Sequence, residues 1–227
     1  MKMKKKIIMA AMALTVAFAL SACQSTDVVA KVSVTSFEAV VNKLGDKVAP
    51  DQEFNAWALT SPTGERFLLG KDFSGDMDTM QEFDAQPFIN AGLDPAKLPM
   101  GIYMYDQAMN KLMVNGELGT EKFNYSGDPK VLDTFKEILR THRASIGYHE
   151  KLDHYGIAMG NGNMFEWAKD MSTNDKDIVF VLNPEPFISA GVDPAKVEGW
   201  AFAKVEVLDK NGKPEQIDKF LKPFDLN

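Results

Sequence analysis

Hydrophobic positions along this chain change their spacing in a fixed order, and the order runs through twice. Positions 37, 40, 41, 44 and 48 are apolar at the interval of one helix face, behind Thr35 or Ser36 as a cap, and predict an amphipathic helix. Two short apolar stretches follow, 57–59 and 67–69, on either side of a Ser-Pro-Thr-Gly-Glu turn, and predict a β-hairpin. A third strand is expected at 80–83, then short helical turns over 87–98, then a fourth strand at 102–105. The second pass repeats this. Val131, Leu132, Phe135, Ile138 and Leu139 mark a helix behind Asp128 and Pro129, an N-cap and N1 pair. Stretches 155–159 and 164–167 flank Gly-Asn-Gly-Asn, and further strands are expected at 178–182 and 200–207. Helix, hairpin, strand, short helices and strand imply an α+β unit, with a helix covering a four-stranded, mostly antiparallel sheet.

The second pass is a copy of the first. Residues 87–98, PFINAGLDPAKL, recur at 186–197 as PFISAGVDPAKV, with nine of 12 positions identical. Upstream, Phe37, Trp57, Gly64, Phe67, Lys71 and Asp72 face Phe135, Tyr155, Gly162, Phe165, Lys169 and Asp170, each 98 positions on. The expected organisation is therefore two tandem copies of one unit, 36–124 and 125–227, with Gly92 and Gly191 at equivalent turn positions where a side chain is disfavoured. The connection over 118–128 contains Phe123 and Tyr125, and is too short and too aromatic to act as a free linker. The copies are expected to form one cooperative body.

The amino-terminal segment belongs to neither copy. Lysines at 2, 4, 5 and 6 precede an apolar run over 7–20 broken only by Thr15, the pattern of a secretory leader. Its 14 positions fall short of the roughly 20 needed for a permanent membrane span. Leu20-Ser21-Ala22-Cys23 resembles the bacterial lipobox. That resemblance implies diacylglycerol on the Cys23 sulfur, cleavage before Cys23 and acylation of the new amino terminus, with 1–22 as signal peptide and 23–35 as a lipidated tether. It places the chain in the bacterial cell envelope, lipid-anchored to a membrane and facing the periplasm or exterior.

Composition changes the picture in two ways. Cys23 is the only cysteine, so the exported body has no internal disulfide and depends on packing. The 227 residues are 45% hydrophobic and 25% charged with a formal charge of −7, and loss of the leader removes four more lysines. A surface this acidic makes nucleic acid and anionic lipid headgroups poor expected partners.

Candidate chemistry is sparse. The chain carries no GxSxG, HExxH or Walker loop, and Gly160 and Gly162 lack the third glycine of a dinucleotide fingerprint, so a hairpin turn is the reading there. His142 and His149 fall on one face if their segment is helical, with Glu150 or Asp153 to complete a metal set; solvated side chains are the favoured reading. Asp72, Ser74 and Asp76, repeated as Asp170, Ser172 and Asn174, alternate oxygens as a calcium loop would, but lack its glycine and its bidentate glutamate. Met100, Met104, Met109 and Met113 suit an adaptable apolar surface, copper(I) or a core. Trp57, Tyr103, Tyr105, Tyr155, Trp167 and Trp200 are the candidate lining of an aromatic binding groove, with core packing as the competing reading. No catalytic residue, metal ligand or cofactor is assigned. The expected function is a non-enzymatic binding or protein-interaction module for an unknown protein or small ligand, and the alternative is a hydrolase-like enzyme with a site in the inter-repeat cleft. Tandem α+β units behind a leader also resemble, loosely, the architecture of secreted β-lactamase-inhibitor proteins; no residue motif carries that activity over.

Overall fold

The computed structural model describes residues 16–17, 26–72, 78–116, 127–141, 143, 146–149, 153–169, 176–208 and 213–225. Cys23 and most of the 118–128 connection lie outside them. The described residues form two antiparallel sheets and four α-helices. In the first sheet the spatial order is β2 (Val48–Asp51), β3 (Ala56–Thr60), β4 (Arg66–Gly70), β5 (Thr79–Asp84), β7 (Lys111–Gly116), β6 (Tyr103–Asp106). In the second it is β8 (Ile146–His149), β9 (His154–Ala158), β10 (Met164–Ala168), β11 (Ile178–Leu182), β13 (Pro214–Phe224), β12 (Ala201–Leu208). A two-residue parallel pairing from β1 (Val16–Ala17), inside the stretch read as leader, adds a seventh strand outside β12. Apart from that strand, the two orders are the same.

Each sheet thus has six strands of its own where the pattern predicts four. The extra strands are edges and closing hairpins. Val48, read as the end of a helix, opens β2, whose partner is β3 and whose Ala49 and Pro50 are exposed, so no alternation of apolar residues marks it. β13 is interrupted by Lys219 and Lys222, which hid it from a hydrophobicity reading.

Helix α1 (Thr26–Leu44) starts within the stretch expected as a tether, three residues past Cys23, so Thr35 and Ser36 are interior positions and not caps. Their hydroxyls bond back along the helix, Thr35 to the Lys31 carbonyl at 3.1 Å and Ser36 to that of Ser33 at 2.9 Å. Asp128 does not cap α3 (Val131–Thr141); it reaches Lys71 of the first copy at 3.2 Å. α2 (Gln86–Asn90) and α4 (Glu185–Ser189) are the short turns of the repeated element, and Asp94 and Asp193 cap the single turns after them, accepting from Ala96 at 3.2 Å and Ala195 at 3.1 Å.

The copies meet about a pseudo-twofold axis, because equivalent residues touch each other. Phe67 stacks on Phe165 with ring centroids 3.6 Å apart, Phe37 on Phe135 at 3.7 Å, and Phe88 packs against Phe187 at 4.9 Å. The Asp94 amide donates to the Ala190 carbonyl at 2.9 Å, and the Asp193 amide returns the bond to Ala91 at 2.8 Å. Such reciprocal contacts are the mark of an isologous interface. The helices are also exchanged: α1 packs on β10 and β8 of the second sheet, and α3 on β4 of the first. One continuous cluster runs through both copies, from Phe37 and Leu69 to Trp167 and Phe220.

Candidate functional site

The aromatic residues singled out from sequence do not form a groove. Strand register puts Trp57, Tyr103 and Tyr105 on the same face of the first sheet as Phe67, and Tyr155 and Trp167 on the same face of the second as Phe165, so all five point into the shared interior. Trp167 is fully buried, donates from Nε1 to the Ser36 hydroxyl at 2.9 Å and meets Phe37 and Phe135 edge-on. Trp200 lies against Phe83 and Phe88, and Tyr155 against Tyr148. Burial pushes the Tyr103 and Tyr155 hydroxyls above their ordinary range. Only Trp57, under the Lys71 ammonium at 4.6 Å, and Tyr105, bonded to Asn110 at 3.1 Å, keep partial exposure. Large rings bury more apolar area than any other side chain, and two sheets with one shared interior take them there.

The histidines separate as well. His149 and His154 are opposed across the β8–β9 hairpin, not set along a helix, and His142 lies outside the described residues. His154 is buried with Nδ1 3.8 Å from a carboxylate oxygen of Glu166, where the first copy has Ala56 and Leu68. Among the described residues, no three His, Cys, Asp or Glu side chains converge to hold a metal ion. Of the two alternating-oxygen loops, only Asp72 is described. Residues 160–163 form the β9–β10 turn.

The methionines divide. Met113 is buried, but Met100 is 95% exposed, Met109 59% and Met104 36%, around β6 at the edge of the first sheet. Met104 is opposite Met113 in register and Met113 opposite Glu82, so this side of the sheet is the one turned away from Phe67.

Among the described residues, two cavities bear on function. A cleft of about 660 Å³ lies within the second copy, at the end of its sheet, lined by Gly162, Asn183, Glu185, Ser189, Asp218 and Lys219 among others. Lys219 is buried in its wall; burial lowers its pKa to about 8, and its ammonium donates to the Gly162 carbonyl. Lys219 stands in phase with Ile217 and Leu221, and a lysine in step with apolar strand positions is the sequence signal of a buried charge that hydrophobic patterning alone passes over. The second cavity, about 250 Å³, lies between the copies, where Val34 and Lys31 of α1 face Leu139, Lys136 and Arg140 of α3 and Arg143 beyond it. Elsewhere the contact between copies is filled by the phenylalanine stacks, by Gln81 donating to the Met164 carbonyl at 2.7 Å and by the Glu65–Lys222 ion pair at 2.6 Å. Burial would raise the Glu65 carboxyl, but hydrogen bonds from Lys222, Ser61 and Thr63 hold it down to about 2.

No family model, no curated protein and no solved structure matches this chain.

Proposed function

We infer that this chain is a lipid-anchored envelope lipoprotein whose two-copy body is a non-enzymatic protein-interaction module. The observation that carries the reading is the exposed methionine edge. Met100, Met104 and Met109 surround β6, the last strand of its sheet, while the large aromatic residues are withdrawn into the core. Flexible thioether side chains beside an open strand edge suit an extended apolar segment, which adds backbone hydrogen bonds to β6 and lays side chains among the methionines. A photo-crosslinking residue at Met104 in intact cells is expected to give a discrete protein adduct that a reporter at Lys97 does not. Replacing Met100 and Met109 by serine should abolish it, and an adduct that survives that change refutes the edge as the recognition surface. The anchor itself is read by palmitate-analogue labelling, which Cys23→Ser should eliminate. The enzyme alternative has Lys219 as its best group, an amine of lowered pKa in a cleft. Its partner there is a backbone carbonyl and the described lining contains no histidine to serve as base, which favours the binding reading.

A further inference from the structure

The exchanged helices bring four cations together on a chain that is acidic overall. Lys31 of α1, Lys136 and Arg140 of α3, and Arg143 just beyond it are all exposed and line the groove between the copies, over a floor that includes Val34 and Leu139. Among the described residues the lining holds these cations and no carboxylate, although two of them also carry ion pairs on the flank of α3. Lys136 pairs with Asp133 at 3.9 Å and Arg140 with Glu137, and Arg143 donates from Nε to the Arg140 carbonyl at 3.2 Å, so their side chains are held at the groove. Val28 and Val32, 49% and 37% exposed, continue α1 toward its first residue, Thr26. The chain is acidic overall, yet the described lining of this groove is basic.

We propose that this helical surface lies on the anionic phospholipid headgroups of the membrane that holds the anchor, with Lys31, Lys136, Arg140 and Arg143 paired to lipid phosphates and Val28 and Val32 in the interfacial layer. The inference rests on acylation of Cys23. With α1 beginning three residues past that cysteine, acylation there would bring the amino-terminal half of α1 closest to the lipid of all the described body. Basic residues beside exposed aliphatic ones are the pattern of surface-lying helices, and cations at a negative leaflet add attraction to an acyl anchor. The methionine side of β6 is on the sheet face opposite the one that carries Phe67, so it stays available to a partner while the helices face lipid.

The test uses the mature lipidated protein in two sets of vesicles, phosphatidylcholine alone and phosphatidylcholine with one-third phosphatidylglycerol, treated with a membrane-impermeant amine acylating reagent and read by mass spectrometry. Modification of Lys31 and Lys136 should fall roughly fivefold on the phosphatidylglycerol vesicles, while that of Lys97 and Lys196, on the turns after α2 and α4, stays the same. Arg140→Glu with Arg143→Glu should restore Lys31 modification to the phosphatidylcholine level. Equal modification of Lys31 on both vesicles overturns the proposal. So does equal protection on phosphatidylcholine by soluble glycerol phosphate, which makes the groove a site for a free phosphate. Failure to float with phosphatidylcholine vesicles overturns the anchor, and with it this surface; that result is distinct from flotation without protection.

Discussion

Glu65 is a carboxylate sealed between two hydroxyls and the ammonium of the other copy, and its ionisation holds the copies together only while it stays charged. Its folded pKa of about 2 lies below the ordinary 4.5, so the stabilisation is complete above pH 4.5 and is lost as pH falls toward 2. Glu65→Gln should cost about 2–3 kcal/mol at neutral pH and flatten the acid limb, measured by denaturant melts at several pH values. Lys219 behaves in the opposite sense. Its pKa of about 8 is below the ordinary 10.5, so between those values the unfolded chain holds a proton that the folded one has released, and stability rises with pH. Lys219→Met should remove that rise and lift the neutral-pH melting temperature. Gly92 is constrained by geometry alone: at φ +108° a Cβ would sit 2.6 Å from the Gly191 carbonyl oxygen, backbone that has no freedom to yield. Gly92→Ala should therefore destabilise by more than about 2 kcal/mol, and Gly191→Ala by a similar amount.

At the scale of elements, the exchange of α1 and α3 decides what each helix is for. Phe37 on α1 packs against Phe135 on α3 and Trp167 on β10, so one side chain joins three elements. Phe37→Ala should cost about 3–5 kcal/mol, and a double-mutant cycle with Phe135→Ala should show coupling of about 1 kcal/mol, measured from equilibrium unfolding. The helices and the central strands were legible because their apolar residues repeat at clear periods. β2 was not, since its exposed Ala49 and Pro50 are free of any demand for alternation, and β8, four residues reading Ile-Gly-Tyr-His, is too short to show a period. α1 reads as too short because its first turns, Thr26 to Thr35, carry serine, threonine and lysine among valines; its helicity there is supported by packing of Val29, Ala30 and Val34 against the core, and the buried Ser33 satisfies its hydroxyl on the Ala30 carbonyl at 3.3 Å. The candidate aromatic residues pack in or against the shared core, where their large rings contribute to stability.

Across the whole molecule, neither copy completes its own core. α1 belongs by sequence to the first copy and by contact to the second sheet, so expression of 26–116 or of 127–225 alone should give a chain without a cooperative melt, while the intact body unfolds in one transition that calorimetry and circular dichroism report alike. Two halves that fold separately and whose melts sum to that of the whole would refute the interlocked core. The sequence by itself determined the duplication, the α+β content and the turns at Gly92 and Gly191, because each is written in identity or spacing over a few adjacent residues. Only the tertiary structure decided that the helices change places, that the aromatic residues are interior, that four cations meet on one surface and that the methionines are left outside. Those outcomes depend on which face of one element meets another far along the chain, and a period of two or of 3.6 residues tells which positions share a face but not what that face will meet.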